Sequence, residues 1–309
     1  MAGDGCYIVS DLGAHGSGAV VPGQLLPAGP RTCRHTLQWA AMPVQILALE
    51  TSGPRCGVAL LRHDGAHATV VARHHDGVAE HSERLLALVD EVLAEAGCGA
   101  ADLDAVAFGQ GPGGFTGLRV ACGVAQGLGF ALQKPLLPVM THLALEAALP
   151  ATGPAWRLVL QDARMNEVYA AVVYRPQQAA ARCVLGPVLV PLAAVATWWQ
   201  SAPVRRALAT LAQADALEPP EAAWCAAGDL AADALAELAL PEALPWQAPP
   251  LAPTATAVAQ VALALWQQGV RVAPEAAQPL YVRDKVAFTT QERAAGAGGN
   301  PRAVLPEAG

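Results

Sequence analysis

The stretch Gly109–Gly127, GQGPGGFTGLRVACGVAQG, constrains this chain more than any other. It follows Ala105-Val106-Ala107-Phe108, a short apolar run that reads as a buried strand. Gly111, Pro112, Gly113 and Gly114 then form a turn that few side chains could enter, and helical character begins at Phe115. Strand, glycine turn and helix in succession present backbone N–H groups at a helix N-terminus, as a parallel sheet does. Such a terminus can hold an anion, or its glycines can simply let the helix pack close to its strand. A P-loop reading fails, because the nearest lysine downstream is Lys134. Gly109, Gly111 and Gly114 satisfy Gly-x-Gly-x-x-Gly, but a dinucleotide site also needs an acid about 20 residues on. No Asp or Glu lies between Asp104 and Glu146.

At 309 residues, 53% of them apolar, the chain can bury one large core or divide into two domains. No apolar run reaches the roughly 18 residues needed to span a bilayer. A net charge of −7 argues against a standalone, broadly basic nucleic-acid binder, though not against service in a complex whose partner holds the RNA. Cys6, Cys33, Cys56, Cys98, Cys122, Cys183 and Cys225 are dispersed and form no Cys-x-x-Cys. That pattern fits reduced thiols in a cytoplasmic protein, not a disulfide frame or a zinc site.

Residues 1–42 are rich in Gly, Ala, Pro and Ser and lack both periodicity and the basic start and apolar centre of a signal peptide. They are expected to be a disordered extension, or to precede a natural start at Met42. Deleting them should leave the thermal midpoint almost unchanged. Val44–Thr51 then reads as a strand ending in the acid Glu50, with further strands over Cys56–Arg62 and Ala68–His74. His63 and His67 are four apart but flank the Asp64-Gly65 hairpin turn, so they do not share a helix face. Glu80–Ala96 is the clearest helix, with Leu85, Leu88, Val89, Val92, Leu93 and Ala96 on one stripe and Gly97 as its stop. Asp90 and Glu91 diverge on that helix and read as a solvated face. A short strand between Lys134 and Val139 and a helix over Thr141–Leu149 lead to a domain boundary at Pro150–Pro154.

The opening pattern then recurs. ILALE-TSGPRC-GVALL and LVLQD-ARMNE-VYAAVV, about 110 residues apart, both read strand, acid, short turn, strand. This predicts two α/β domains with mixed sheets flanked by helices, over 43–150 and 151–290, followed by a disordered tail over 291–309. Between 176 and 253, helices are expected near Leu192–Trp199 and Asp229–Leu238. Trp198, Trp199, Trp224 and Trp246 read as packing, and Thr256–Gln268 as an amphipathic helix.

No Gly-x-Ser-x-Gly elbow, cysteine signature or zinc spacing is present. What remains is two acids at strand ends, Glu50 and Asp162, and the glycine turn. Glu50, Gly111, Gly113, Gly114 and Asp162 are thus candidates for holding a metal–nucleotide. Equally, they can be relics of a fold without a live site.

Several separated motifs resemble the TsaB (YeaZ) family. They are Ile46-Leu47-Ala48-Leu49-Glu50-Thr51-Ser52, His81-Ser82, Gly109 to Arg119 with its Gly-Pro-Gly-x-Phe-Thr-Gly-x-Arg, and Gly123 to Gly129. To these add Asp162-Ala163-Arg164-Met165-x-Glu167-Val168-Tyr169 and Pro279-Leu280-Tyr281-Val282-Arg283. The chain departs from the family in Glu50 for a common Asp, in Gly114 for a common Ser, and in its unmatched start. The resemblance implies a duplicated actin-like ATPase (ribonuclease H-like) fold. It also implies a non-catalytic subunit for threonylcarbamoylation of the adenosine 3′ of the anticodon in tRNAs reading ANN codons. The partner so implied is TsaD, with TsaE joining as an ATPase, tRNA reached only through the complex, and ATP used by the complex with no cofactor in this chain. TsaD carries paired histidines for a metal, and the matching segment here has His142 alone. The family pairs through its first two helices, with TsaD or with a second copy. Leu85, Leu88, Val89 and Val92 on the first helix and Ala121, Gly123 and Gly127 on the second are the expected contacts. A stand-alone actin-like ATPase or kinase is the alternative, and a metallopeptidase has still less support in these residues.

Overall fold

The structure, a computed structural model, describes residues 43–77, 81–177, 179–215, 217, 223–247 and 250–283. The expectations for residues 1–42 and 291–309 lie outside the described residues. Two mixed sheets form the framework. The first has the order β3-β2-β1-β4-β5, from β1 (Val44–Glu50), β2 (Arg55–His63), β3 (Ala68–Asp76), β4 (Ala105–Gly111) and β5 (Leu136–Met140). The second has the order β8-β7-β6-β9, from β6 (Trp156–Arg164), β7 (Glu167–Tyr174), β8 (Arg182–Pro191) and β9 (Trp224–Gly228). In the first sheet β1 is antiparallel to β2 and parallel to β4. In the second, β6 repeats both relations with β7 and β9. The repeat in the sequence is therefore a repeat in topology, and the duplicated actin-like fold follows from it.

Helices α1 (His81–Ala96) and α2 (Phe115–Leu132) cover one face of the first sheet. Leu85, Leu88, Val89, Val92, Ala121 and Ala125 join Leu47, Leu49, Val58, Val106 and Phe108 in one core. Gly97 closes α1 at φ 64°, a conformation that suits glycine. α3 (Thr141–Ala147) follows β5 and leads into the segment that joins the two sheets. The second sheet packs on α4 (Val195–Gln200) and α5 (Ala202–Ala214), with α6 (Ala232–Glu237) beyond β9. Trp156, Trp198, Trp199 and Trp224 fill that core, as expected of packing tryptophans.

The chain also crosses between the sheets: α7 (Ala255–Gln267) lies inside the span 151–290 and packs on the first sheet. Its Ala255, Val258, Ala259 and Ala262 are buried with Ile46, Ala59, Ala107 and Val139. Its apolar face complements the side of that sheet left open by α1 and α2, so the chain crosses back. One correction concerns hydrophobic length. α2 spans 18 residues and is apolar enough, by length and composition, to cross a membrane. Here it is a flank of the sheet, and Arg119 and Gln126 interrupt it with hydrogen bonds to Tyr281 and to the Pro274 and Ala277 carbonyls.

Candidate functional site: a closed glycine turn, an open helix face and an interdomain cleft

Glu50 ends β1 fully buried, where burial pushes its carboxyl above the usual range despite a hydrogen bond accepted from the Ser52 amide. Its carboxylate lies against the Cα of Gly109, so a Cβ at 109 would overlap it. The glycine turn closes over the same hairpin. Gly114 N donates to Ser52 O (2.8 Å), Thr51 Oγ1 donates to Gly117 O (2.7 Å), and a Cβ at Gly113 would stand 2.7 Å from that of Ser52. Gly111, at φ 112°, is pressed between Leu118 and the Leu280 carbonyl. The glycines thus permit close approach of backbone to backbone, with the chain itself filling the side on which each would carry a Cβ. Glu50, the acid that would face a metal–nucleotide, is buried and does not line the cavity that the glycine turn borders. Asp162 sits at the turn of the β6–β7 hairpin, ion-paired with Arg164 (3.0 Å) and accepting from the Arg164 amide. Its own amide donates to Asp229 (2.7 Å), whose pKa burial pushes up to about 7.

His142 is buried on α3, with Nε2 3.0 Å from the Tyr169 carbonyl and its pKa pushed down to about 4 by burial. That environment selects a neutral imidazole locked into the core. His63 and His67 flank the β2–β3 hairpin, where Asp64 accepts from the Ala66 and His67 amides.

The residues expected to meet a partner divide in two. Leu85, Leu88, Val89 and Val92 are at most 4% exposed, and Ala121 is fully buried. These belong to the chain's own core, because α1 can bury only one stripe and the sheet takes it. Gly123 and Gly127 face outward, and a Cβ at either would meet nothing within 4 Å. Phe130, one turn on from Gly127, is 59% exposed, and Leu86 on α1 is 52% exposed. Neither was singled out from the sequence. Leu86 stands one residue off the apolar stripe, which was the available signal.

A third feature gathers three of the quoted motifs at one cleft between the sheets. Phe115 comes from the start of α2, Arg164 and Met165 from the β6–β7 turn, and Tyr281 and Arg283 from the closing segment. The Phe115 and Tyr281 rings are 5.2 Å apart. Arg119 lies 3.7 Å above the Phe115 ring, and its Nε donates to the Tyr281 hydroxyl (2.9 Å). Arg283 holds the closing segment down by pairing with Glu167 (2.6 Å) and donating to the Ala163 carbonyl (2.9 Å). Gly113 and Gly114 line this cleft, whereas Glu50 lines a separate shallow cavity with Arg55, Arg73 and Thr254.

A family model described as TsaD, tRNA N6-adenosine threonylcarbamoyltransferase, matches residues 67–290. The tRNA threonylcarbamoyladenosine biosynthesis protein TsaB of Haemophilus influenzae is 43% identical over 132 residues, 42% of this chain and 54% of that protein. Its namesake from Escherichia coli is 38% identical over 135 residues, 43% and 57%. The chain thus aligns with little more than half the length of these curated relatives. YeaZ from Pseudomonas aeruginosa superposes with a TM-score of 0.61 at 33% identity, covering 77% of this chain and 99% of that one. A second Pseudomonas aeruginosa structure, of an uncharacterized protein with similarity to peptidase YEAZ, gives 0.63 at 33%, covering 78% and 100%. With the duplicated sheets, the closed glycine turn and near-complete coverage of two solved relatives in agreement, the chain belongs to the TsaB (YeaZ) family.

Proposed function

We propose that this chain is a non-catalytic subunit for threonylcarbamoylation of tRNA, acting by binding and activating a TsaD-type transferase. The observation that carries the reading is the open face of α2. Gly123 and Gly127 leave a shallow, side-chain-free groove flanked by the exposed Phe130, and a partner helix can approach closely there. Such a groove suits helix-on-helix packing, with apolar burial supplying the gain. The curated relatives are named for threonylcarbamoyladenosine biosynthesis, and the matching family model is that of the transferase itself.

The burial of Glu50 away from the glycine-lined cleft argues against a stand-alone ATPase or kinase. The buried, hydrogen-bonded His142 argues against a metallopeptidase. In this reading ATP and a TsaE-type ATPase serve the assembled complex, and tRNA is engaged through that complex. A second copy of this chain can use the same groove, so a homodimer is the resting alternative to the heterodimer.

The test is co-purification with a TsaD homologue, followed by an assay for threonylcarbamoyladenosine in tRNA. The pair should modify tRNA, and this chain alone should neither modify tRNA nor cleave peptides. Robust transfer by the isolated chain would overturn the non-catalytic assignment, and failure to bind the transferase would overturn the partnership.

A further inference from the structure

The helix groove leaves the interdomain cleft without a task, although three separated motifs build it. We propose that the cleft formed by Phe115, Met165 and Tyr281 stacks one unpaired RNA base, with Arg119 and Arg164 set to meet its phosphates. The choice of RNA rests on the tRNA reading above.

The first support is the surface itself. Phe115 (37%), Tyr281 (40%) and Met165 (53%) are exposed and gathered in one place, apart from the exposed Leu86 and Phe130 on the helices. An aromatic pair held at 5.2 Å offers a fixed π-surface. Stacking on such a surface tolerates any base, because every base has a flat face.

Charge is the second. Arg119 is fixed over Phe115 and bonded to Tyr281, yet among the described residues no carboxylate pairs with it. Arg164 is 82% exposed and, among the described residues, pairs with Asp162 at the turn. An apolar peptide would leave Arg119 without a counter-charge, whereas a phosphate takes a guanidinium fork directly.

Backbone conformation is the third. Met165 and Asn166 form the two-residue turn between β6 and β7 with φ of 59° and 56°, following Arg164 at 63°. Such turns favour Asn and Gly, and a methionine there is held in a conformation that a side chain disfavours. The turn nevertheless places Met165 in the lining of the cleft, where its sulfur accepts from Arg283 Nη1 (3.5 Å).

Size is the fourth. The cleft encloses about 200 Å³. Sites that enclose a drug-sized ligand run from about 300 Å³ upward. One ring system fits, with its sugar and phosphate outside beside the arginines.

The experiment measures binding of a short, 5′-labelled single-stranded RNA to the full chain by fluorescence anisotropy, with AMP and ATP as separate competitors. Tyr281→Ala should weaken RNA binding about tenfold. Arg119→Ala should weaken it and reduce the salt slope by about one. Arg164→Ala removes an exposed side chain, so it tests the site without risk to the fold; it should weaken binding measurably at an unchanged thermal midpoint. Absence of RNA binding by the wild type, or wild-type binding by all three variants, overturns the proposal. So does displacement of the RNA by AMP or ATP at equal affinity, which would make this a free-nucleotide pocket. Threonylcarbamoyl transfer is no part of this readout. A chain that binds RNA here but never supports modification overturns the functional reading alone. A chain that supports modification while all three variants bind RNA normally overturns this inference alone.

Discussion

Glu50 and Asp162 occupy corresponding strand ends in the two halves, and the sequence treats them alike. The structure separates them by burial: Glu50 is 1% exposed against Gly109, while Asp162 sits at an open hairpin turn. A strand-end acid was legible, but its solvent access was not, because that depends on a glycine 59 residues away in sequence on β4. Asp229 shows the same limit. It was read only as the start of a helix, yet it accepts the Asp162 amide at the end of β9. Burial there, joined by the charge of Asp162, lifts its pKa to about 7. The folded chain therefore keeps a proton that the unfolded chain, with an ordinary carboxyl near 3.8, has released. Between those values the folded state binds more protons, so this group's contribution to stability falls as pH rises, and it is flat above about 7. Asp229→Asn keeps the acceptor and removes the charge. Its stability relative to wild type should rise across that window and reach a gain of about 1–2 kcal/mol by pH 8. Denaturant titrations of both proteins across the pH range check this, and a pH-independent difference would show that Asp229 ionises normally.

At the level of elements, strong periodicity was readable and small residues were not. The stripe on α1 identified a buried face, but in the sequence the same stripe served equally as a docking surface. α2 is rich in Gly and Ala on several faces, so its pattern alone did not say which side turns inward. In the structure Ala121 and Ala125 face the sheet, Gly129 is wedged against Leu136 and Pro274, and Gly123 and Gly127 face open space. β8, β9 and α5 went unread for related reasons. β9, Trp224-Cys225-Ala226-Ala227-Gly228, is buried throughout and shows no alternation, and β8 is broken by Gly186-Pro187 with shifted register. The glycines of α2 give a paired prediction. Gly127→Ala should stabilise the isolated chain by about 0.5–1 kcal/mol, because an open helical glycine gains propensity at no steric cost. Gly129→Ala should destabilise it by about 1–3 kcal/mol through overpacking. Gly127→Leu carries the functional test: it should melt like wild type yet fail to bind the transferase and fail to support tRNA modification. A Gly127→Leu chain that melts early but binds with unchanged affinity would remove this face from the interface.

Across the whole molecule, the duplication was legible as a repeated strand–acid–turn–strand, but what holds the two halves together was not. Glu146, on α3, lies between Arg157 of β6 (2.7 Å) and Arg175 just beyond β7 (3.0 Å), and both guanidiniums share its Oε1. Arg157 also donates to the Pro150 and Pro154 carbonyls, so the same side chain fixes the connection between the sheets. The two sides of this latch are only 11 residues apart, yet nothing in their local pattern marks them as a buried triad. Glu146 and Arg157 are at most 2% exposed, so each depends on the other for its charge to be tolerated. Glu146→Gln should therefore cost about 3–5 kcal/mol, since it strands two guanidiniums, one of them fully buried, without a counter-charge. Size alone does not identify the cause, because any core substitution can be costly. The double variant Glu146→Leu/Arg157→Met separates the explanations. If charge desolvation dominates, removing both partners should restore most of the stability lost in the single variant, as it does for other buried pairs. If the latch acts through geometry, by holding the Pro150–Pro154 connection, the double variant should stay as unstable as the single one. Chemical denaturation of the three proteins decides between these outcomes. A Glu146→Gln chain within 1 kcal/mol of wild type would show that water reaches the arginines and that the two halves are joined mainly through α7 and the closing segment.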